Sequence, residues 1–299
     1  MVGSAIARAS LLKDIEVIGN PSSVVDFLNR DETFSAIAKS HPDALVIAAA
    51  KVGGIGKNSS HPVEFLSQNL QIQTNLIDAA YSAEVEKVLF LGSSCIYPKL
   101  AEQPIVEGSL LTGPLEETNE AYAIAKIAGV KLINAYRTEF EKQWISAMPT
   151  NLYGQVDNFD LQTAHVLPAL IHRIHLAKLN DSPNVEIWGD GTPLREFLHV
   201  DDLAKACLLL LEKYNSSVPI NIGSGEEVSI AQLAKLVSRI IGYEGSLVFN
   251  TSKPNGTPRK ILDSTLIRKL GWFPEIDLET GIKSTYEWFL ENAARGKYE

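Results

Sequence analysis

Short apolar runs without polar alternation recur along this chain, each separated from the next by a segment of helical period. Leu45-Val46-Ile47 and Val88-Leu89-Phe90-Leu91 are the plainest. A strand that is apolar on both faces has to be covered on both faces, which is the condition of a parallel sheet with helices above and below. Strands are expected over residues 15–18, 44–50, 88–91, 144–148, 185–188, 220–222 and 247–249. Helices are expected over 4–12, 31–39, 63–82, 120–140, 163–179, 200–213, 229–241, 264–270 and 278–292. Asp31 and Ser229 read as N-caps, and Gly242 and Gly271 as left-handed stops. The pattern predicts an α/β protein, a doubly wound parallel sheet in residues 1–152 followed by a smaller α+β unit mainly in 153–299, some segments of which return to the first unit; Gly and Pro become frequent there.

The opening breaks this pattern. A doubly wound sheet begins with a strand, a Gly-rich turn and a helix, because the turn aims backbone N–H groups at a pyrophosphate. Met1-Val2-Gly3-Ser4-Ala5-Ile6 reads instead as the inside of that first helix, and only Gly3 fits the end of a G-x-x-G-x-x-G turn. The expectation is a natural chain that starts further upstream, its first strand belonging in the middle of the sheet.

Composition narrows the function. The 299 residues are 45% hydrophobic and 21% charged, so there is ample material for a core. Lys+Arg 27 against Asp+Glu 36 gives a formal charge of -9, which repels a phosphate backbone and argues against nucleic acid as a partner. No apolar run approaches the ~20 residues that span a bilayer, and no basic-then-apolar leader follows Met1. Cys95 and Cys207 suit a reducing compartment better than a disulfide framework, so the expected location is cytoplasmic.

Chemistry concentrates at Gly92-Ser93-Ser94-Cys95 after an expected strand, and at Tyr122 and Lys126 on the helix that follows. Positions i and i+4 share one helical face. A Lys ammonium beside a phenol is expected to lower the Tyr122 pKa from about 10 toward neutrality, letting it exchange a proton with a carbonyl or alcohol. Ser93 at the strand end would hydrogen-bond the same oxygen. The plainer alternative is a surface Tyr-x-x-x-Lys pair. A lone Cys is otherwise a small buried hydrophobe, and a lone His a structural residue.

These motifs resemble the extended short-chain dehydrogenase/reductase family, with its Rossmann-like fold. Longer segments are similar to the branch of that family which epimerises and reduces a GDP-linked keto-deoxyhexose. They are Ala48-Ala-Ala-Lys-Val-Gly-Gly-Ile55, Leu89-Phe-Leu-Gly-Ser-Ser-Cys-Ile-Tyr-Pro-Lys-Leu100, Asn119-Glu-Ala-Tyr-Ala-Ile-Ala-Lys-Ile-Ala-Gly129, Met148-Pro-Thr-Asn-Leu-Tyr-Gly154, Gly191-Thr-Pro-Leu-Arg-Glu-Phe-Leu-His-Val-Asp-Asp202 and Gly256-Thr-Pro-Arg-Lys260. The resemblance implies NADPH as cofactor, GDP-4-keto-6-deoxy-D-mannose as substrate and a homodimer formed through helices 63–82 and 120–140. It implies catalytic roles for Ser93, Cys95, Tyr122, Lys126 and His165, with Cys95 and His165 moving protons at the carbons flanking the ketone. It places Gly3, Leu91, Gly92, Ser93, Ser94, Lys126, Pro149, Thr150, Asn151, Leu152 and His165 at the cofactor. Arg173, Trp188, Arg195, Asn255 and Lys260 fall on its substrate side. Arg suits a diphosphate through its planar fork, and Trp188 offers a flat apolar face.

Two positions depart from that pattern. Asn20 and Ser22 stand where the family places Arg against the 2′-phosphate of NADP, leaving the choice between NADP and NAD open. Asn255 stands where it commonly has Asp. Other readings are a nucleotide-sugar-binding relative without catalysis and a thiol hydrolase using Cys95 and His165. His165, His172 and His175 share part of one helical face but lack the i, i+4 spacing of helical zinc ligands, so no metal site is expected.

Overall fold

The computed structural model describes residues 1–293 except Asn20, Ser22 and Pro254. In chain order the first half contains α1 (Val2–Leu11), α2 (Arg30–Ser40), β1 (Ala44–Ile47), α3 (Ile55–Ser60), α4 (Asn69–Ser82), β2 (Lys87–Leu91), α5 (Glu120–Phe140), β3 (Ile145–Pro149) and β4 (Asn151–Tyr153). There follow α6 (Val166–Leu179), β5 (Asn184–Trp188), β6 (Leu194–His199), α7 (Val200–Lys213), β7 (Ile220–Ile222), β8 (Glu227–Ser229) and α8 (Ile230–Ile241). The last are β9 (Ser246–Asn250), β10 (Arg259–Lys260), α9 (Thr265–Lys269) and α10 (Leu278–Ala293).

The apolar runs pair as expected, in a parallel sheet ordered β1-β2-β3-β7. Alternate residues of β2 then enter two different layers. Val88 and Phe90 pack with residues of α2, α4 and α5, while Leu89 and Leu91 pack with residues of α1, α7 and α9. Each side chain of this size contributes roughly 1.5–3 kcal/mol on full burial, which is why no polar residue interrupts the run. Gly129 on α5 allows the close approach of the helix to the sheet, since a Cβ there would collide with the Phe90 ring.

Two expectations fail locally. Residues 15–18 form no strand, and Ile15, Val17 and Ile18 are exposed. A strand needs a neighbour's N–H and C=O groups, and among the described residues β1 pairs on the β2 side only, its other edge taking no partner from this segment. The N-cap of α2 is Asn29 rather than Asp31, because its Oδ1 accepts from the N–H groups of both Asp31 and Glu32. Asp31 lies in the first helical turn, where its charge suits the helix dipole. The cofactor-selectivity reading on Asn20 and Ser22 lies outside the described residues. Ser229 does form a capping box with Gln232, and Gly242 and Gly271 adopt φ of 71° and 94°.

The second half of the chain carries a third apolar cluster, built from α6, α8, α10, β5 and β9. Between it and the main sheet runs β6, flanked by β10 and β4 and paired antiparallel with β8. None of these three neighbours is expected as a strand from the sequence, since each has only two or three residues.

Glu196 on β6 fastens this region. Its side chain is fully buried, with Oε1 accepting from Gly225 N–H at 2.7 Å and Oε2 from Leu262 N–H at 3.1 Å. Its backbone carbonyl accepts from Thr150 Oγ1 and Asn151 Nδ2 at 3.3 and 2.8 Å. A Cβ on Gly223 would collide with the carboxylate, so glycine is required for the approach. Replacing Glu196 with Gln sets an NH2 group against a backbone donor. Glu196→Gln is expected to lower stability by about 1–3 kcal/mol, read as a lower urea midpoint at unchanged slope.

Candidate active site

The carboxyl ends of β2 and β3 lie side by side and present their following residues on one edge of the sheet, the usual ligand edge of a doubly wound fold. After β2 the chain turns sharply. Cys95 N–H donates to Ser93 Oγ at 3.2 Å, closing a short 3₁₀ turn over Ser94–Ile96. Gly92 is needed beneath it, because a Cβ would lie 2.5 Å from Met148 Sδ.

Tyr122 and Lys126 face this turn from α5, as their spacing requires. Their relationship is not the expected one. Lys126 is buried, and its ammonium donates to Leu91 O at 2.8 Å while standing 6.0 Å from the centre of the Tyr122 ring. Burial, which disfavours the charged amine, brings the Lys126 pKa down to about 7. Tyr122 is pushed well up rather than down, by burial first and by the Cys95 thiolate second, against a smaller lowering from its hydrogen bond with Ser93. The electrostatics therefore reverse the sequence expectation: the phenol keeps its proton and is a donor.

Cys95 behaves in the opposite sense. Burial is the largest single influence and raises its pKa, but Lys260, Ser93 and Arg195 together outweigh it, and the net direction is down. Lys260 Nζ is 3.1 Å from Cys95 Sγ. His165 is the N-cap residue of α6, uses no side-chain capping bond, and is exposed. Burial among the surrounding elements and then the charge of Lys260 lower its pKa. Ser93, Cys95, Tyr122, His165, Arg195 and Lys260 therefore feel one another's hydrogen bonds or charge, with Lys126 under the floor.

The remaining residues divide. Arg173 donates to Glu186 O at 2.9 Å and so lies against β5, whose last residue is the half-exposed Trp188 with Lys253 Nζ 5.2 Å from its ring centre. Asn255 Oδ1 accepts from Asp190 N–H at 3.0 Å, bracing the turn after Trp188. Pro149, Thr150, Asn151 and Leu152 lie on the β3–β4 passage beside the cleft. Gly3 lies in the first turn of α1, where a Cβ would meet nothing within 4 Å. His172 and His175 do not join His165, their Nδ1 atoms hydrogen-bonding Phe159 O and Tyr286 Oη.

One positioning residue carries no role in the sequence reading. Gly54 N–H donates to Thr163 O at 3.0 Å, and a Cβ on Gly54 would lie 2.6 Å from Ala164 O. This contact sets the segment that delivers His165. Its only sequence signal is the Gly53-Gly54 pair after an expected strand.

A doubly wound sheet with a Ser, a Tyr and a Lys at its carboxyl edge defines an oxidoreductase that handles a carbonyl. The chain belongs to the NAD dependent epimerase/dehydratase family, which matches residues 1–223. It is 53% identical over 300 residues to a putative GDP-L-fucose synthase 2 of Arabidopsis thaliana, covering 99% of this chain and 91% of that one. It is 48% identical over 305 residues to the GDP-L-fucose synthase of Escherichia coli, covering 99% and 95%. Among solved structures, a GDP-L-fucose synthetase from Naegleria fowleri bound to NADP superposes with a TM-score of 0.90 at 31% identity, covering 98% of this chain and 92% of that one.

Gly54→Ala keeps an allowed backbone, since φ is -66° and ψ 173°, but pushes on the His165 segment. Turnover is expected to fall at least about tenfold, as displacement of a catalytic group by less than 1 Å does, with the thermal midpoint changed by only a few degrees. Steady-state kinetics and a melting curve check both.

Proposed function

We propose that the chain is a GDP-L-fucose synthase, converting GDP-4-keto-6-deoxy-D-mannose by 3,5-epimerisation and NADPH-dependent reduction at C4. The observation that carries this reading is the grouping of a charge-stabilised thiol, an imidazole and a protonated phenol on one cleft. Reduction alone needs only the phenol. Exchange of protons on both sides of a ketone needs a base and an acid in addition.

Protons on C3 and C5 are acidic because each carbon adjoins the C4 ketone. In this reading Cys95 as thiolate takes the proton from one face, becoming a thiol, and the charge passes to the C4 oxygen as an enolate. Ser93 and Tyr122 donate hydrogen bonds to that oxygen. His165 as imidazolium returns a proton to carbon from the opposite face, inverting the centre and restoring the ketone; once Cys95 has lost its proton to solvent and His165 has regained one from it, the sequence repeats at the second carbon. In the final step Tyr122 gives its proton to the C4 oxygen as the carbonyl is reduced, which suits a phenol that burial keeps protonated.

The donor set at the cleft floor fits the nicotinamide end of NADP(H): the Lys126 ammonium, fixed on Leu91 O, lies beside the backbone ends of β2 and β3. Lys126 with Leu91–Ser94 and Pro149–Leu152 would hold the cofactor, which supplies hydride for C4. Arg173, Trp188 and Arg195 would receive the GDP portion, with Asn255 bracing the Trp188 turn. A cytoplasmic homodimer is part of the proposal; the exposed Val63, Ile124 and Phe140 on the helices expected to meet support it. No helix among the described residues is long and apolar enough to cross a membrane.

The test is NADPH consumption that depends on GDP-4-keto-6-deoxy-D-mannose, with GDP-L-fucose identified as product; NADPH binding without turnover overturns the reading. Tyr122→Phe is expected to cut reduction by about 10²–10⁴-fold while solvent deuterium still enters C3 and C5. Mass spectrometry of the recovered sugar measures that exchange.

A further inference from the structure

The resemblance sets Lys260 on the substrate side, and its ammonium meets one particular group in the cleft. It sits on the two-residue strand β10, in parallel register with Arg195 on β6, and its Nζ donates to Cys95 Sγ at 3.1 Å. The strand is held on its other side as well. Ile261 N–H donates to Gln103 Oε1 at 3.0 Å, and Ile105 N–H to Ile261 O at 2.9 Å. The long Lys side chain therefore starts from backbone fixed on both flanks, which reduces the ordering cost of holding its head against one sulfur.

A second cation lines the same cleft. Lys99 faces it together with Gln103, Glu116, Asn119 and Thr257. Its charge is already met, since Lys99 Nζ lies 3.1 Å from Oε2 of the buried Glu116. The same Glu116 oxygen accepts a weak hydrogen bond from Thr257 Oγ1 at 3.5 Å, tying the segment that leads into β10 to the wall of the cleft. Lys260, by contrast, has no carboxylate within ion-pair distance among the described residues, so the sulfur is the anion it meets.

We propose that Lys260 is a positioning residue for proton transfer, the counter-ion that keeps Cys95 as a thiolate ready to accept a carbon-bound proton. The inference rests on the epimerase reading of Cys95. A thiolate buried without a cation would take up a proton from water and lose its basicity toward carbon. Arg195 supports the same charge from β6, and Tyr122 faces it from α5 as a neutral donor through Ser93. His165 also feels Lys260: burial first and then that charge disfavour the imidazolium, which makes the group the stronger acid when protonated. One ammonium thus biases both partners of the exchange toward releasing a proton.

The sign of the effect is fixed. Removing the Lys260 charge leaves burial as the larger influence on Cys95, so the thiol becomes harder to ionise; His165 becomes easier to protonate. Alkylation by iodoacetamide reads the thiolate directly. Native protein reports on Cys95 alone, because Cys207 is buried and its pKa is pushed up to about 12.

The experiment measures alkylation rate against pH for the unaltered full chain, Lys260→Met, Lys260→Gln and Lys260→Arg, together with solvent deuterium exchange and the dissociation constant for GDP. The expected results are a midpoint below the ordinary thiol value of about 8.5 in the unaltered chain and one above it in the Met and Gln variants. A tenfold smaller thiolate fraction at pH 7 lowers the alkylation rate there about tenfold. Deuterium exchange should fall with it, GDP affinity should change little, and Lys260→Arg should restore most of the loss.

A midpoint at or above about 8.5 in the unaltered chain overturns the proposal without any variant. So does an unchanged alkylation profile in a folded Met or Gln variant, or a loss confined to GDP affinity. Failure of the epimerase reading looks different, with the altered alkylation profile present but no deuterium entering the sugar even in the unaltered chain.

Discussion

The buried carboxylate of Glu196 is the joint on which the geometry of the cleft depends. It is wholly enclosed and met by backbone N–H groups from the turn after β7 and from a residue just after β10, while its own carbonyl takes donors from the β3–β4 passage. Enclosure raises its pKa and the backbone donors oppose that. Such a group tolerates little movement, because any lost donor leaves the anion uncompensated. Its neighbour in sequence is Arg195, which stands in register with Lys260 on β10. The two cations nearest Cys95 are therefore placed by a carboxylate that touches neither of them.

Much of the scaffold is legible in residue order. Apolar runs with no polar face mark the parallel strands, and Ser229, Gly242 and Gly271 mark helix ends through local chemistry that needs no tertiary partner. What fails depends on partners distant in sequence. Residues 15–18 have the composition of a strand but pair with no described strand. The strands β4, β8 and β10 are too short for periodicity to register, and they exist because β6 runs between them. Asn29 captures the α2 terminus from Asp31 because its side chain reaches two donors.

The site is legible as a set of residues and misleading in its electrostatics. The i to i+4 spacing correctly puts Tyr122 and Lys126 on one face, but a common face does not fix where a long side chain ends. Lys126 directs its charge at the Leu91 carbonyl, and the cation that matters at the sulfur comes from residue 260, far along the chain. No sequence pattern reports that Lys260 reaches Cys95, since the contact is created by the register of β10 on β6. Gly54 is similar: its requirement comes from the carbonyl of Ala164, not from a turn of its own.

The proposed reducing groups share one part of the chain with Cys95, whose N–H donates to Ser93 Oγ, while the rest of the proposed epimerising set comes from elsewhere. Ser93, Tyr122 and Lys126 belong to β2 and α5, at the heart of the main sheet. His165 and Lys260 arrive on the segment that leads into α6 and on a two-residue strand, each held by a few backbone contacts. A descendant could abandon inversion while retaining ketone reduction by remodelling those two peripheral segments, without disturbing the sheet. The architecture separates the two chemistries for evolution even though a single sugar ring would have to experience both.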